Sequence, residues 1–140
     1  MLNRNFVEGY DKMTYMIYQR PLSDDQVKRI NASQDSEFAL AYFALMFPNG
    51  ENANQRALDA IELGMYKQTM LISCTDGMSL ALSDLFDAGN GYPKSCINVV
   101  SLQKHPSMSV GDIAVNLLEN TAVMCMPVGW KELDLKLTLA

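Results

Sequence analysis

The chain has few of the residues on which most protein chemistry depends. It holds one histidine, His105, and three cysteines, Cys74, Cys96 and Cys125, with no CxxC spacing. A tetrahedral zinc site draws on clustered Cys and His, so none is expected. An odd number of scattered thiols, each beside apolar neighbours or a strand signal, points to buried reduced cysteines and a cytoplasmic setting. No apolar run nears the roughly 18 residues of a membrane span. "MLNRNFVEGYDK" carries Arg4, Glu8, Asp11 and Lys12 and no apolar segment, unlike a secretory signal. The glycines give no phosphate loop: "PNGENANQR" and "DAGNGYP" match neither GxxxxGK nor GxGxxG. Basic charge is scarce too. Eleven Lys and Arg stand against sixteen Asp and Glu, a net charge of −5, and the bases are single apart from Lys28 and Arg29. Phosphate backbones are held by clustered bases, because counterion release scales with the number of contacts. The composition therefore argues against direct nucleic-acid binding.

What is present suits one domain over residues 1–140. Hydrophobic residues make up 49 % of the chain, enough for a core without staples. Ten methionines read as adaptable core filler. The acids concentrate between Pro21 and Asn90, where ten stand against four bases. Such a region is a solvated face, an attraction for a basic partner surface, or an imitation of nucleic acid.

"MTYMIYQ" (Met13–Gln19) is uncharged and β-favouring, a first strand closed by Arg20–Pro21. "SDDQ" (Ser23–Gln26) is a capping box, with Asp24 and Asp25 at the positive end of a short helix that turns Val27 and Ile30 inward. "SEFALAYFALMF" (Ser36–Phe47) is helical and apolar on nearly every face, as for a helix buried on more than one side or half covered by a partner. "NANQ" (Asn52–Gln55) is a second capping-box pattern, opening a helix that runs to about Leu63, with Gly64 as its left-handed end. "YKQTMLISCT" (Tyr66–Thr75) reads as a strand. Asp76–Asn90 returns to helical period, with Asp76 as cap and Met78, Leu82, Leu85 and Phe86 on one stripe. Ile97–Leu102 is a strand, Ile113–Leu117 and Ala122–Val128 form a strand, turn, strand unit, and "KELDLKLTLA" adds an edge strand. The tight turn makes that last pair antiparallel. The fold class is therefore α+β: a small, largely antiparallel sheet with three to four helices packed on it and a C-terminal β-hairpin.

Candidate chemistry gathers in "HPSMSVGDIAV" (His105–Val115) and "VGWKEL" (Val128–Leu133). His105 with Ser107 or Ser109 and Asp112 would make a triad, yet there is no GxSxG elbow, and a residue before proline favours an extended loop. Asp59 with Glu62, and Asp84 with Asp87, stand three apart on one helical face each, without a third ligand for a metal. The stretch makes sense as architecture. Gly111 permits a positive φ, Asp112 accepts backbone amides in the turn before a strand, and Trp130, after Gly129, places its indole opposite that turn, within reach of Ser109, Asp112 or a carbonyl.

In their order these residues resemble small accessory proteins of bacteriophages and plasmids. Those end in S-x-S-V-G-D before Val or Ile, an apolar strand, and a V-G-W-x-E-like close; here Ser107, Ser109, Gly111, Asp112, Gly129 and Trp130 carry the match. The chain is also similar to the YodL-like domain of polyvalent proteins of mobile elements, in which an early "IYQ" strand recurs, as in "MIYQ" (Met16–Gln19). "ALDAIELGMYKQTMLIS" (Ala57–Ser73) fits the phage versions. The resemblance covers about the last eighty residues. It implies a protein of a mobile element at work in a bacterial host cell, without implying an activity, a cofactor or catalytic residues.

The expected function is thus an interaction protein that binds and modulates, by inhibition, a host bacterial protein such as a defence or nucleic-acid-processing factor. It needs no cofactor and is not an enzyme. Asp24, Asp25, Asp59, Glu62, Asp84 and Asp87 are the candidate partner-binding residues. The alternative is nucleic-acid or nucleotide binding on a platform of Lys104, His105, Ser107, Ser109, Trp130 and Lys131. A homodimer through the apolar helix Phe38–Phe47 is compatible with either.

Overall fold

The computed structural model describes residues 13–32, 36–74 and 80–135. Its elements are β1 (Thr14–Gln19), α1 (Asp24–Ala32), α2 (Glu37–Ala44), α3 (Ala53–Glu62), β2 (Lys67–Cys74), α4 (Leu82–Gly89), β3 (Ile97–Ser101), β4 (Ile113–Asn116), β5 (Thr121–Cys125) and β6 (Trp130–Leu133). The strands form one six-stranded sheet in the order β3-β2-β1-β4-β5-β6. Every neighbouring pair is antiparallel. The fold is α+β and closes on the hairpins β4–β5 and β5–β6. No described helix is long and apolar enough to cross a membrane.

β1 lies at the centre because "TYMIYQ" carries no charge and can be covered on both sides; all six residues are buried. Alternate side chains serve opposite faces. On one face Met16, Tyr18, Leu71, Val115 and Met124 meet Leu45 and the α3 stripe Ala53, Ala57 and Ala60. Those small residues recur at helical spacing and let α3 lie close to the strands. On the other face Tyr15, Ile17, Met70, Ile72 and Ala114 meet Leu80, Leu85 and Ala88 from α4 and its approach, with Met108. A β-carbon on Gly89 would sit 2.6 Å from the Met108 methyl, so α4 touches the loop before β4 through a bare backbone.

Local signals set the helix starts. Ser23 Oγ accepts from Gln26 N at 3.2 Å while Gln26 Oε1 accepts from Ser23 N at 2.9 Å, the expected reciprocal box. Gly64 takes its left-handed φ of 72°. Three expectations need correction. "NANQ" forms no capping box: Asn52 is the N-cap residue of α3 but makes no side-chain cap bond. The reciprocal pair lies three residues earlier, with Asn49 N donating to Asn52 Oδ1 at 2.9 Å and Asn52 N to Asn49 Oδ1 at 3.0 Å. α4 begins at Leu82, with Ala81 as its cap; Asp76 and Met78 lie outside the described residues. Val27 and Phe86 are 40 % and 38 % exposed rather than inward. α1 buries Ile30 alone among its residues. Phe86 stands about 100° around the helix from Leu85, which takes the sheet contact.

One end of the sheet gathers the ends of β1, β3 and β5 with the starts of β2, β4 and β6. The loop 102–112 runs along that end, from the edge strand β3 across to β4. It finishes in a tight turn in which Asp112 N donates to Ser109 O at 3.1 Å and Gly111 has a φ of 92°. A β-carbon on Gly111 would lie 2.6 Å from Arg20 Nη2 and 2.7 Å from the Leu45 carbonyl. Gly129 also has positive φ, 74°, but nothing crowds it. Gly111→Ala should therefore destabilise by more than about 2 kcal/mol, strain plus clash, and Gly129→Ala by about 1 kcal/mol, strain alone. Urea unfolding of the two variants checks the order.

Candidate functional site

Among the described residues, two places bring functional residue types together. The first is buried under the loop 102–112. Gln19, fully buried at the end of β1, donates from Nε2 to Asp112 Oδ2 at 3.0 Å and to the carbonyls of Pro106 and Ser107 at 3.2 and 3.3 Å. Its Oε1 accepts from Thr69 Oγ1 at 2.7 Å. Asp112 Oδ2 also accepts from Ser109 N at 2.8 Å. Arg20 spans the next layer, donating to Tyr42 O at 3.1 Å and Val110 O at 3.3 Å, its guanidinium 5.1 Å from the centre of the Tyr42 ring. Tyr66 Oη donates to the Gly111 carbonyl at 2.6 Å.

Burial dominates the electrostatics of this cluster. It lifts the Asp112 carboxyl to about 6, against the opposing pull of the Gln19 and Ser109 hydrogen bonds and the Arg20 charge. Burial, with the Asp112 charge beside it, also pushes the Cys125 thiol up to about 11, which keeps it protonated and a poor nucleophile at neutral pH. The cluster holds a loop in place; every bond just described runs to the protein's own backbone or side chains.

The motif residues sort accordingly. Gly111 and Asp112 are buried, Ser107, Ser109 and Gly129 exposed, and Trp130 half-buried. The hydrogen bonds of Asp112 go to Gln19 and Ser109 rather than to the indole. Trp130 opens β6 opposite Cys125 and packs on the α4 side of the core. His105 is bonded through its ring to Ser101 Oγ at 3.0 Å and to Pro106 O at 2.8 Å. Its neighbouring hollow is walled by Pro21, Leu22, Lys104 and Pro106, with no carboxylate. Of the suggested platform, Lys104 and His105 follow the edge strand β3, while Lys131 sits on the opposite edge strand, β6. Among the described residues, no group of three or more His, Cys, Asp or Glu is placed to hold a metal ion.

The second place is an open trough of about 760 Å³ between α2 and α3, walled by Glu37, Leu40, Ala41, Ala44, Arg56, Asp59, Glu62 and Leu63. Beside it α2 and its exit expose Leu40 at 58 % and Phe47 at 81 %, with Phe43 and Met46 near 40 %. Arg56 Nη1 donates to Phe47 O at 3.1 Å and also to Ala44 O, closing the end of α2. Of the six candidate acids, Asp59 and Glu62 line this trough. Asp24 and Asp25 occupy the first turn of α1, and Asp84 and Asp87 ride on α4 across the sheet. Asp84 is paired with Lys94 at 2.9 Å. The six form no single row.

The sequence expectations did not include Gln19 as the side-chain partner of Asp112, nor Thr69 bonded to Gln19, nor Arg20 and Tyr66 around them. The available signal was "QRP", where a glutamine and an arginine end an uncharged strand. They missed Glu37 and Arg56 at the trough, although the all-round apolar pattern of Phe38–Phe47 pointed at that helix.

The titration of Asp112 gives a signed prediction. Its folded value, about 6, lies above the ordinary carboxyl value of 3.8, so the folded state holds the proton more tightly. That contribution to stability is complete below about pH 4 and is lost as pH rises through 6. Asp112→Asn keeps an acceptor for Gln19 and Ser109 but cannot titrate. Relative to it, the wild type should gain about 1 kcal/mol of unfolding free energy between pH 7 and pH 5. Urea titrations of both proteins at the two pH values read that difference; a constant difference would place the carboxyl's titration elsewhere.

No family model, no curated protein and no solved structure matches this chain.

Proposed function

We propose that this chain is a phage- or plasmid-type accessory protein that binds a host bacterial protein in the cytoplasm and lowers its activity, acting by contact rather than catalysis. The observation that supports this reading is the α2–α3 trough. Its walls are apolar through Leu40, Ala41, Ala44 and Leu63, three acids, Glu37, Asp59 and Glu62, outnumber the one base, Arg56, and the exit of α2 nearby exposes Phe47. Exposed apolar patches rimmed by polar groups are the usual form of a protein-binding surface. The occupant that suits it is an amphipathic helix with basic flanks: its apolar stripe fills the trough, and its Lys and Arg meet the three carboxylates. A host factor that handles nucleic acid offers such basic segments.

Affinity capture from bacterial lysate at moderate salt, comparing trough variants with variants across the sheet, tests the proposal. A stoichiometric partner should be held by the wild type and by Asp84→Asn/Asp87→Asn, and lost by Leu40→Ser/Phe47→Ser. Asp59→Asn/Glu62→Gln should weaken the purified complex roughly fivefold, two rim charges at about 0.5 kcal/mol each. Absence of any stoichiometric partner, or a partner indifferent to both trough variants, would overturn it.

A further inference from the structure

An open sheet has two edges, and this one treats them differently. The β6 edge is guarded. It carries Lys131 and Glu132, and the outward backbone N–H of Asp134 just beyond it is taken by Asn54 Oδ1 of α3 at 2.8 Å. Charges and a covering side chain are common ways to stop a strand edge from pairing with another chain. The β3 edge, "INVVS" and the Leu102 that follows, has no charge, no proline and no glycine. Val100 and Leu102 are 44 % and 41 % exposed beside it.

The ladder fixes which backbone groups of β3 face outward. Leu102 N donates to Thr69 O at 2.8 Å, so Leu102, Val100 and Asn98 direct their backbone groups at β2, following the register Leu71↔Val100 and Ser73↔Asn98. Val99 and Ser101 therefore turn N–H and C=O away from the sheet, as Ile97 does its carbonyl. The Ile97 N–H is already bonded to Lys94 O at 2.9 Å.

We propose that β3 is the seam of a symmetric dimer. Two copies of β3 pair antiparallel about a twofold axis at Val99, joining two six-stranded sheets into one. Val99 then exchanges both its hydrogen bonds with Val99 of the second copy, and each Ser101 N–H meets the opposite Ile97 carbonyl. Asn98 falls opposite Val100, so no like charges face each other and both exposed apolar side chains gain cover. A second copy is the occupant because the strand offers no charge by which to select a different partner, while its outward groups complement themselves about Val99. The surface is separate from the α2–α3 trough, so each proposal stands or falls alone.

The test is the concentration dependence of mass by sedimentation equilibrium, with amide exchange on the same samples. The wild type should move toward twice its monomer mass through the micromolar range, with exchange at Val99 and Ser101 slowing while Val100 is unchanged. Ser101→Pro removes an N–H that β2 does not use. Val100→Lys sets two like charges near the axis. Each should weaken the dimer about tenfold or more while leaving thermal unfolding of the dilute protein nearly unaltered. Phe47→Ser should leave the dimer intact. A mass that stays monomeric, or a dimer that survives both β3 variants, would overturn the proposal; so would a dimer abolished only by Phe47→Ser.

Discussion

The side chain of Gln19 is the hinge on which the fold closes. A buried amide must have its donors and its acceptor satisfied, or it costs the fold about as much as several good contacts supply. Here the three acceptors of its Nε2 all belong to the loop 102–112, and the donor to its oxygen is Thr69 of β2. One residue at the end of the central strand thus joins β1, β2 and the lead-in to β4. Its interactions also determine what Asp112 can be. A carboxylate that is only 4 % exposed survives at neutral pH because Gln19 and Ser109 donate to it and Arg20 stands nearby.

That constraint propagates to the helical face through Arg20. Its guanidinium spans from Val110 O in the loop to Tyr42 O in α2, and Gly111 leaves the space it occupies. From the other side, Arg56 of α3 closes on the carbonyls of Ala44 and Phe47. No basic residue lies in the last turn of α2 itself. Two arginines from elsewhere satisfy its terminal carbonyls and complement its dipole.

What the sequence made legible was local. The uncharged "TYMIYQ" announced a strand, the box at Ser23 and Gln26 needs only four residues, and Gly64 marks a helix end by its own φ. The antiparallel pairing of β4 with β5 followed from the short turn between them. What stayed hidden was non-local or nearly degenerate. Gln19 and Asp112 are 93 residues apart, and nothing in either neighbourhood names the other. "NANQ" and "NGEN" both offer an asparagine and an amide or carbonyl partner three residues on, and only the path of the chain out of α2 selects Asn49. The trough was half legible. An all-round apolar helix said that something must cover it, but only the packing shows that the core takes Leu45 and Ala39 and leaves Leu40 and Phe47 outside.

The exposure of those two residues is not forced by the architecture. α2 is held by its end: Arg20 and Arg56 bind its carbonyls, and Ser36 Oγ accepts from Ala39 N at the other end at 3.1 Å. A helix fixed by its backbone termini, with Ala39 and Leu45 already in the core, gains nothing from an apolar outer face. Polar residues at Leu40 and Phe47 would keep the fold and improve its solubility. The proposed contact with another molecule would give that apolar face a use, and Leu40 shares its trough with Asp59 and Glu62. The same logic separates these acids from Asp24 and Asp25, which a helix start explains by itself, and from Asp84, which Lys94 already answers.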